Sequence, residues 1–102
     1  DYQKIDEVLH SRISTAIMAV LISVEEAEFR FIKEKTNATD GNLSVHLKKL
    51  EDAGYIKVNK TFVDRKPQSV YKITNKGHKA FEDYIHKLES IIKNNHKGDN
   101  NG

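Results

Sequence analysis

The stretch that most constrains the fold runs from Thr39 to Gly54 and has the sequence TDGNLSVHLKKLEDAG. Leu43, Leu47 and Leu50 recur at spacings of four and three residues, which places them on one face of a helix. Thr39 is a favourable N-cap residue, and Gly54 stands where a left-handed residue commonly ends a helix. We therefore predict one amphipathic helix with a buried leucine face.

The opposite face of this helix carries short side chains and two lysines. Its members are Asp40, Gly41, Asn42, Ser44, Val45, Lys48 and Lys49. Short side chains let a helix backbone approach a surface closely, and amide, hydroxyl and ammonium groups suit base edges and phosphates. An ordinary solvated helix more often carries Glu and Lys in i, i+4 pairs. The pattern therefore favours a nucleic-acid surface, and a plain surface helix is the alternative.

The charge distribution along the chain agrees with that interpretation. Residues 43–81 hold nine Lys and Arg against three acids, a balance of +6, although the whole chain has a net charge of only +2. The balance is −3 in residues 1–42 and −1 in residues 82–102. A basic middle that coincides with the polar helix face is typical of a nucleic-acid-binding surface.

Composition excludes several other classes of protein. A chain of 102 residues predicts one domain, and the lack of Cys excludes disulfides and thiolate metal sites. The longest apolar run, Ala16 to Ile22, has seven residues, against the roughly 20 needed to span a bilayer. With no signal peptide in the sequence, we expect a cytoplasmic protein without membrane association. No nucleophile–base pair or phosphate loop is present, so we expect no enzyme activity and no cofactor.

The sequence before the central helix predicts further short elements. Residues 1–23 keep a helical period with a break at His10 and Ser11, where Ser11 caps the second part. A polar connection follows and ends in a short strand, before a short helix from Phe29 to Thr36. A tight turn at residues 37–38 then leads to Thr39, so two helices are joined by very few residues.

After Gly54 the apolar period changes from 3.6 to 2. Residues 55–62 and 69–74 both alternate, which predicts an antiparallel β-hairpin with Ile56, Val58 and Phe62 on its inner side. The intervening residues 63–68 form a long basic tip that contains the one Pro. The hairpin therefore extends the basic surface beyond the helix.

A wide apolar stripe lies in the last helix, which starts at Asn75. A stripe of this width in a small chain needs cover, either from the first helix or from a second copy, and we predict a homodimer. Its predicted interface consists of Ile13, Ile17, Phe81, Tyr84, Ile85, Leu88, Ile91 and Ile92. The polar residues 94–102 are predicted to be a disordered tail.

Three features of the sequence occur together. They are the order of elements, the motif TDGNLSVHLKKLEDAGYI at residues 39–56, and the hairpin FVDRKPQSVYKIT at residues 62–74 with the T-x-x-G that follows. In these features the chain resembles winged-helix transcriptional regulators of the MarR/ArsR type. The resemblance implies a mainly α fold with a small antiparallel β-hairpin, in one winged helix-turn-helix domain over residues 1–93. Its parts would be a helix-turn-helix at 29–53, a wing at 55–74 and a C-terminal helix at 75–93, with the terminal helices forming a dimer seam.

The resemblance also implies DNA-binding roles. Helix 39–53 would enter the major groove, and the wing would contact the backbone or minor groove. The implied DNA-binding residues are Thr39, Asp40, Gly41, Asn42, Ser44, Val45, His46, Lys48, Lys49, Lys60, Arg65, Lys66 and Gln68. Asn42 suits adenine and Val45 a thymine methyl. Asp40 is better explained as a carboxylate at a helix start, and His46 as a packed boundary residue.

The function predicted from these observations is that of a sequence-specific transcriptional regulator, a repressor that binds double-stranded DNA as a homodimer. The alternatives are a winged-helix protein-interaction module and a nonspecific architectural DNA binder. His78 and His86 are eight residues apart, too far for direct chelation by one chain, so no metal site is predicted. The sequence identifies no effector.

Overall fold

The computed structural model describes the backbone of residues 6–101 and the side chains of residues 6–94. This part of the chain forms four helices and a three-stranded antiparallel sheet with the strand order β1-β3-β2. The elements are α1 (Arg12–Val24), β1 (Glu26–Glu28), α2 (Phe29–Thr36), α3 (Asp40–Asp52), β2 (Ile56–Val63), β3 (Lys66–Ile73) and α4 (Asn75–Asn101). Both the element order and the predicted winged-helix architecture are confirmed.

Helix α1 begins at Arg12, directly after the break that was predicted at His10 and Ser11. The Ser11 hydroxyl accepts a hydrogen bond from the Ser14 amide at 3.0 Å and caps α1. The predicted helix before it is wrong over residues 7–9, which form a turn. The Val8 amide donates to the Asp6 carboxylate at 2.9 Å, a local bond that competes with helical pairing. The prediction for residues 1–5 lies outside the described residues.

One apolar core unites the helices and the base of the sheet. The three leucines of α3, Leu43, Leu47 and Leu50, are at most 3% exposed, so the predicted buried face is confirmed. The other buried apolar members of the core are Leu9, Ile17, Met18, Leu21, Ala27, Ile32, Ile56, Phe81 and Tyr84. The core therefore fixes the height and rotation of α3 relative to the other helices.

A tight joint connects α3 to the hairpin and α4. Gly54 has a φ of +82° and ends the helical segment. The Thr74 hydroxyl donates to the Gly54 carbonyl at 2.6 Å and accepts from the Gly77 amide at 2.9 Å. A Cβ on Gly77 would lie 2.0 Å from the Tyr55 carbonyl oxygen. Gly77 is therefore required by close backbone approach, and the T-x-x-G pattern has a structural cause.

The hairpin differs from its prediction at the tip. The strands continue to a two-residue turn, Asp64 and Arg65, with φ values of 52° and 67°, as in the turns that match strand twist. The predicted long tip is therefore wrong, and Pro67 lies in β3, opposite Phe62. Since β1 pairs with β3 only as far as Val70, β3 is an edge strand at Pro67, where a missing N–H is tolerated.

Phe62 was predicted on the inner side of the hairpin, but its side chain is 74% exposed. The alternation does place it on the same face as Ile56 and Val58. However, the hairpin at this point extends past the core, so that nothing in the described protein covers the ring. The alternating pattern gives the face of a strand and not the extent of the core beneath it.

The last helix starts at Asn75 as predicted and continues to Asn101. It passes the boundary expected near residue 93 and includes residues that were predicted to form a disordered tail. No Pro interrupts this segment, so the helical backbone hydrogen bonds can continue through it. No helix in the described part of the chain is both long and apolar enough to cross a bilayer.

Candidate nucleic-acid interface

The turn between α2 and α3 brings the start of α3 to the surface. Asn37 ends α2 in the left-handed conformation, with a φ of 57°, which Asn tolerates better than most residues. The Thr39 hydroxyl then accepts a hydrogen bond from the Asn42 amide at 3.2 Å, as the predicted N-cap. Two helices joined by so few residues leave the first turn of α3 accessible to a large partner.

The N-terminal half of α3 has an accessible face whose side chains are short. Gly41, Asn42, Ser44 and Val45 are all exposed. A Cβ added at Gly41 would meet no atom within 4 Å, so the glycine is not required by packing. Val45 is 52% exposed, although a valine gains more by burial. These side chains are free to contact the edges of bases.

Asp40 has an explanation within the protein. Its carboxylate lies 2.8 Å from the Lys33 ammonium, and it occupies the first turn of α3, where the helix dipole favours a negative charge. The ion pair connects α2 to α3. This contact supports the structural interpretation of Asp40 over a direct contact with cytosine.

His46 faces α1 through one edge of its ring. Its Nδ1 atom lies 3.1 Å from the Ser14 hydroxyl and 3.4 Å from the Ser11 hydroxyl. Burial lowers the pKa of His46, and the nearby Lys49 lowers it further. The ring therefore bridges α3 to the start of α1, which supports the packed-boundary interpretation over a phosphate contact.

The two lysines of α3 differ in their surroundings. The Lys48 ammonium lies 3.2 Å from the Asp52 carboxylate, one helical turn along, and this hydrogen bond is the main cause that raises the pKa of Lys48. Both side chains of the pair are exposed, so the bond is weak and its ammonium can exchange partners. Lys49 is exposed at the opposite edge of the accessible face.

A groove separates α3 from the hairpin. Its lining consists of Ser44, Leu47, Lys48, Glu51, Val58, Lys60, Ser69 and Tyr71. Lys60 and Ser69 are directly opposite in the β2–β3 register, so an ammonium and a hydroxyl lie together across from Lys48. Burial raises the pKa of Tyr71, and its phenol is therefore neutral. The groove offers a phosphate several donors, although Glu51 opposes a negative charge.

Three residues that line this groove, Ser69, Tyr71 and Glu51, were not predicted from the sequence. Ser69 could have been found from its register with Lys60, once the turn is placed at residues 64–65. Tyr71 could have been found in the same way, because it lies directly opposite Val58 in the β2–β3 register. Glu51 follows from its spacing to Lys48, since residues three apart share a helix face.

The wing residues do not all lie together. Arg65 is in the turn itself and Lys66 begins β3, and both are exposed. Gln68 was expected at the tip, but it is half-buried within β3. With Phe29 and Arg30 it lines a cleft that shares Ser69 and Tyr71 with the groove beside α3. The tip therefore presents two cations. Arg30 is a further cation near the wing that sequence analysis did not identify.

The predicted dimer residues fall into two groups. Ile17 is fully buried, and Phe81 and Tyr84 are 9% and 5% exposed, so these three serve the core of one protomer. Their assignment to a seam is corrected, because α1 and α4 of the same chain cover them. The residues left with accessible apolar surface are Ile13, Ile85, Leu88, Ile91 and Ile92.

Among residues with described side chains, no cluster of three or more His, Asp or Glu could hold a metal ion. His78 instead lies 3.5 Å from Glu82, one turn along α4, with both side chains exposed.

Comparisons with known proteins agree with this geometry. Residues 13–92 match the family described as the winged helix DNA-binding domain. Uncharacterized protein MJ0432 of Methanocaldococcus jannaschii is 41% identical over 88 residues, which cover 86% of this chain and 96% of that protein.

Solved structures share the fold as well. A transcriptional regulator homologue from Pyrococcus horikoshii OT3 superposes with a TM-score of 0.81 at 29% identity, over 87% of this chain and 88% of its own. A PadR family transcriptional regulator from Eggerthella lenta has a TM-score of 0.69 at 20% identity, over 88% and 86% of the two chains.

Proposed function

The chain belongs to the winged helix DNA-binding domain family, and from this premise we propose that it is a sequence-specific transcriptional regulator that acts as a repressor. The observation that carries the proposal is the accessible N-terminal half of α3, with Gly41 and Val45 exposed on a helix whose other face is buried. A rigidly held helix with short surface side chains suits the major groove, where base pairs are distinguishable.

The proposed division of roles assigns base contacts to α3 and backbone contacts to the lysines and the wing. Asn42 pairs with adenine in a bidentate contact, and Val45 packs on a thymine methyl. Lys48, Lys49, Lys60, Arg65 and Lys66 hold phosphates, which position the protein without reading sequence. Thr39 and Ser44 donate from the first turns of α3. No base contact is assigned to Asp40, His46 or Gln68.

We further propose a cytoplasmic homodimer in which the accessible apolar residues of α4 form the seam. The two copies of α3 would enter successive major grooves, with half-sites about 10–10.5 bp apart. Bound at a promoter, such a dimer represses by blocking polymerase. A regulator of this kind needs no catalytic step, and we assign it none. Within the winged-helix proteins, we propose that this chain is related to the MarR and ArsR regulators.

The proposal is tested by fluorescence anisotropy on DNA from upstream of the protein's own gene, with scrambled DNA of equal length as the control, over a series of salt concentrations. We expect tighter binding to the upstream DNA at near-physiological salt, with log affinity falling by about 0.9 per phosphate contact for each decade of salt.

Two results would contradict the proposal in different ways. Equal, salt-sensitive binding to both DNAs would indicate a nonspecific architectural binder. Absence of binding at low salt would indicate a protein-interaction module, since electrostatic attraction is strongest there.

A further inference from the structure

The tip of the hairpin exposes a large aromatic ring that lies outside the apolar core. Phe62 is 74% exposed, and Pro67 is its direct cross-strand partner and is also exposed. The two side chains share one face of the hairpin, because directly opposite residues in an antiparallel pair lie on the same side. Together they form a small apolar patch at the distal end of the wing.

This patch lies on the side of the hairpin that faces α3. Side chains alternate along β2, so Ile56, Val58, Lys60 and Phe62 share one face. Ile56 is buried in the core, and Val58 and Lys60 line the groove beside α3. The surface of this face therefore runs from the groove beside α3, past the cationic side chain of Lys60, to the ring of Phe62. A partner held by α3 would also meet Phe62.

The hairpin holds the ring rigidly. Strands β2 and β3 pair without interruption from Ile56–Ile73 to Val63–Lys66, and the turn that joins them has only two residues. Pro67 further restricts the backbone opposite the ring. A stiff ribbon can insert a side chain into a partner with little loss of conformational entropy.

The surrounding charge selects the kind of partner. Residues 56–73 carry five Lys and Arg and one acid, Asp64. This excess of positive charge repels the wing of a second copy and attracts a polyanion.

We propose that Phe62, supported by Pro67, is an apolar wedge that enters the minor groove next to α3 and partly unstacks one base step of the bound duplex. Apolar side chains inserted in this way bend DNA toward the major groove, which here would bring the backbone closer to Lys60 and Arg65. Flexible pyrimidine–purine steps would be favoured, because they unstack most readily. This inference rests on the proposed DNA-binding function.

The test measures DNA bending and affinity for the wild-type protein and two variants. The probe is a duplex of about 30 bp, taken from the upstream DNA and labelled at its ends for energy transfer. Phe62→Ala removes the wedge, and Val63→Ala is the matched control, because Val63 is 49% exposed on the opposite face of the same strand. Thermal unfolding verifies that both variants remain folded.

The wedge predicts that the wild-type protein and Val63→Ala bend the duplex, that Phe62→Ala leaves it nearly straight, and that affinity falls by roughly 10-fold. The salt dependence of binding should not change, since no charge is removed. Phe62→Leu should bend the duplex more than Phe62→Ala does, because Leu also acts as a wedge in minor grooves.

Three results would overturn the inference. If Phe62→Ala binds and bends the duplex like wild type, the wedge is excluded and the proposed function stands. If the wild-type protein binds no duplex at low salt, both fall together. If Phe62→Ala keeps DNA bending but loses binding to vesicles that contain phosphatidylserine, the patch is a membrane contact instead.

Discussion

Helix α3 and the hairpin both expose an apolar side chain to solvent, but the two regions are held in different ways. Val45 lies on a helix whose three leucines are at most 3% exposed. Phe62 lies on strand β2, which is buried at Ile56 and exposed from Asn59 to the turn. The helix is therefore positioned by the core, whereas the wing is positioned by its own strand pairing.

This difference suits two kinds of contact. A helix that must align donors with base edges needs a fixed rotation, which a packed core supplies because interiors tolerate little displacement. A wing that holds a backbone needs reach and charge, which the long strand pairing and the exposed cations of the hairpin supply. The structure therefore supports base recognition by α3 and backbone contact by the wing.

The largest effect on stability is expected when a leucine on the buried face of α3 is truncated. Leu43→Ala should lower the free energy of unfolding by about 2–5 kcal/mol, as for other buried leucines. Val63→Ala in the exposed wing is the control and should change it by less than about 0.5 kcal/mol. Urea unfolding measures both. Similar losses in the two variants would show that the wing is also packed and would remove the distinction.

A second large effect is expected at the joint between the two regions. Gly77→Ala places a Cβ 2.0 Å from the Tyr55 carbonyl oxygen, so the backbone must move, and we expect a loss of about 3 kcal/mol. Thermal unfolding measures this change. A variant as stable as wild type would mean that α4 can shift away from the hairpin without cost, contrary to the observed joint.

A smaller effect, and one of opposite sign, is expected at Gly41. Gly41→Ala meets no atom within 4 Å and should raise the free energy of unfolding by about 0.5–1 kcal/mol, because Ala has the higher helix propensity. The same methyl group should weaken DNA binding by blocking close approach of α3. Urea unfolding measures the change in stability, and fluorescence anisotropy measures the change in DNA affinity. Increased stability with unchanged affinity would argue that this face of α3 does not contact DNA.

The smallest effect concerns the pH dependence of α3 docking. Burial lowers the pKa of His46, so the unfolded state binds a proton more readily. His46 then contributes stability that is present above its unfolded pKa of about 6.5 and is lost as the pH falls. His46→Gln should therefore lose less stability between about pH 7 and pH 5 than wild type.

The control for the pH experiment is His86→Gln, at an exposed position of α4. Urea unfolding at each pH gives the three slopes. The slope of His46→Gln should be flatter than the slopes of both proteins that retain His46. Parallel slopes for His46→Gln and wild type would contradict an inward-facing His46.

The same contrast explains what the sequence could predict. The spacing of Leu43, Leu47 and Leu50 and the N-cap at Thr39 place α3 to within one residue, because a buried face and a cap are both local signals. The hairpin tip was mispredicted, since Asp64 and Arg65 lack the glycine that commonly marks a two-residue turn. Alternation placed Phe62 on the correct face but could not show that the core ends before it.

Contacts between distant segments were beyond the sequence pattern. The bond between His46 and Ser14 joins residues 32 positions apart, and periodicity indicates only that His46 borders a buried face. Likewise, the stripe that includes Phe81 and Tyr84 needs cover, but its width cannot distinguish α1 of the same chain from a second protomer. The predicted seam therefore included residues that belong to the core.

The central claim, that α3 reads bases and the wing holds the backbone, is tested most directly by the ratio of affinities for upstream and scrambled DNA. Asn42→Ala should reduce this ratio, at a cost of roughly 1–3 kcal/mol for one base pair. Lys66→Ala should weaken binding to both DNAs alike and reduce the salt slope by about 1, leaving the ratio unchanged. If both variants lost affinity uniformly, the assignment of base recognition to α3 would be wrong.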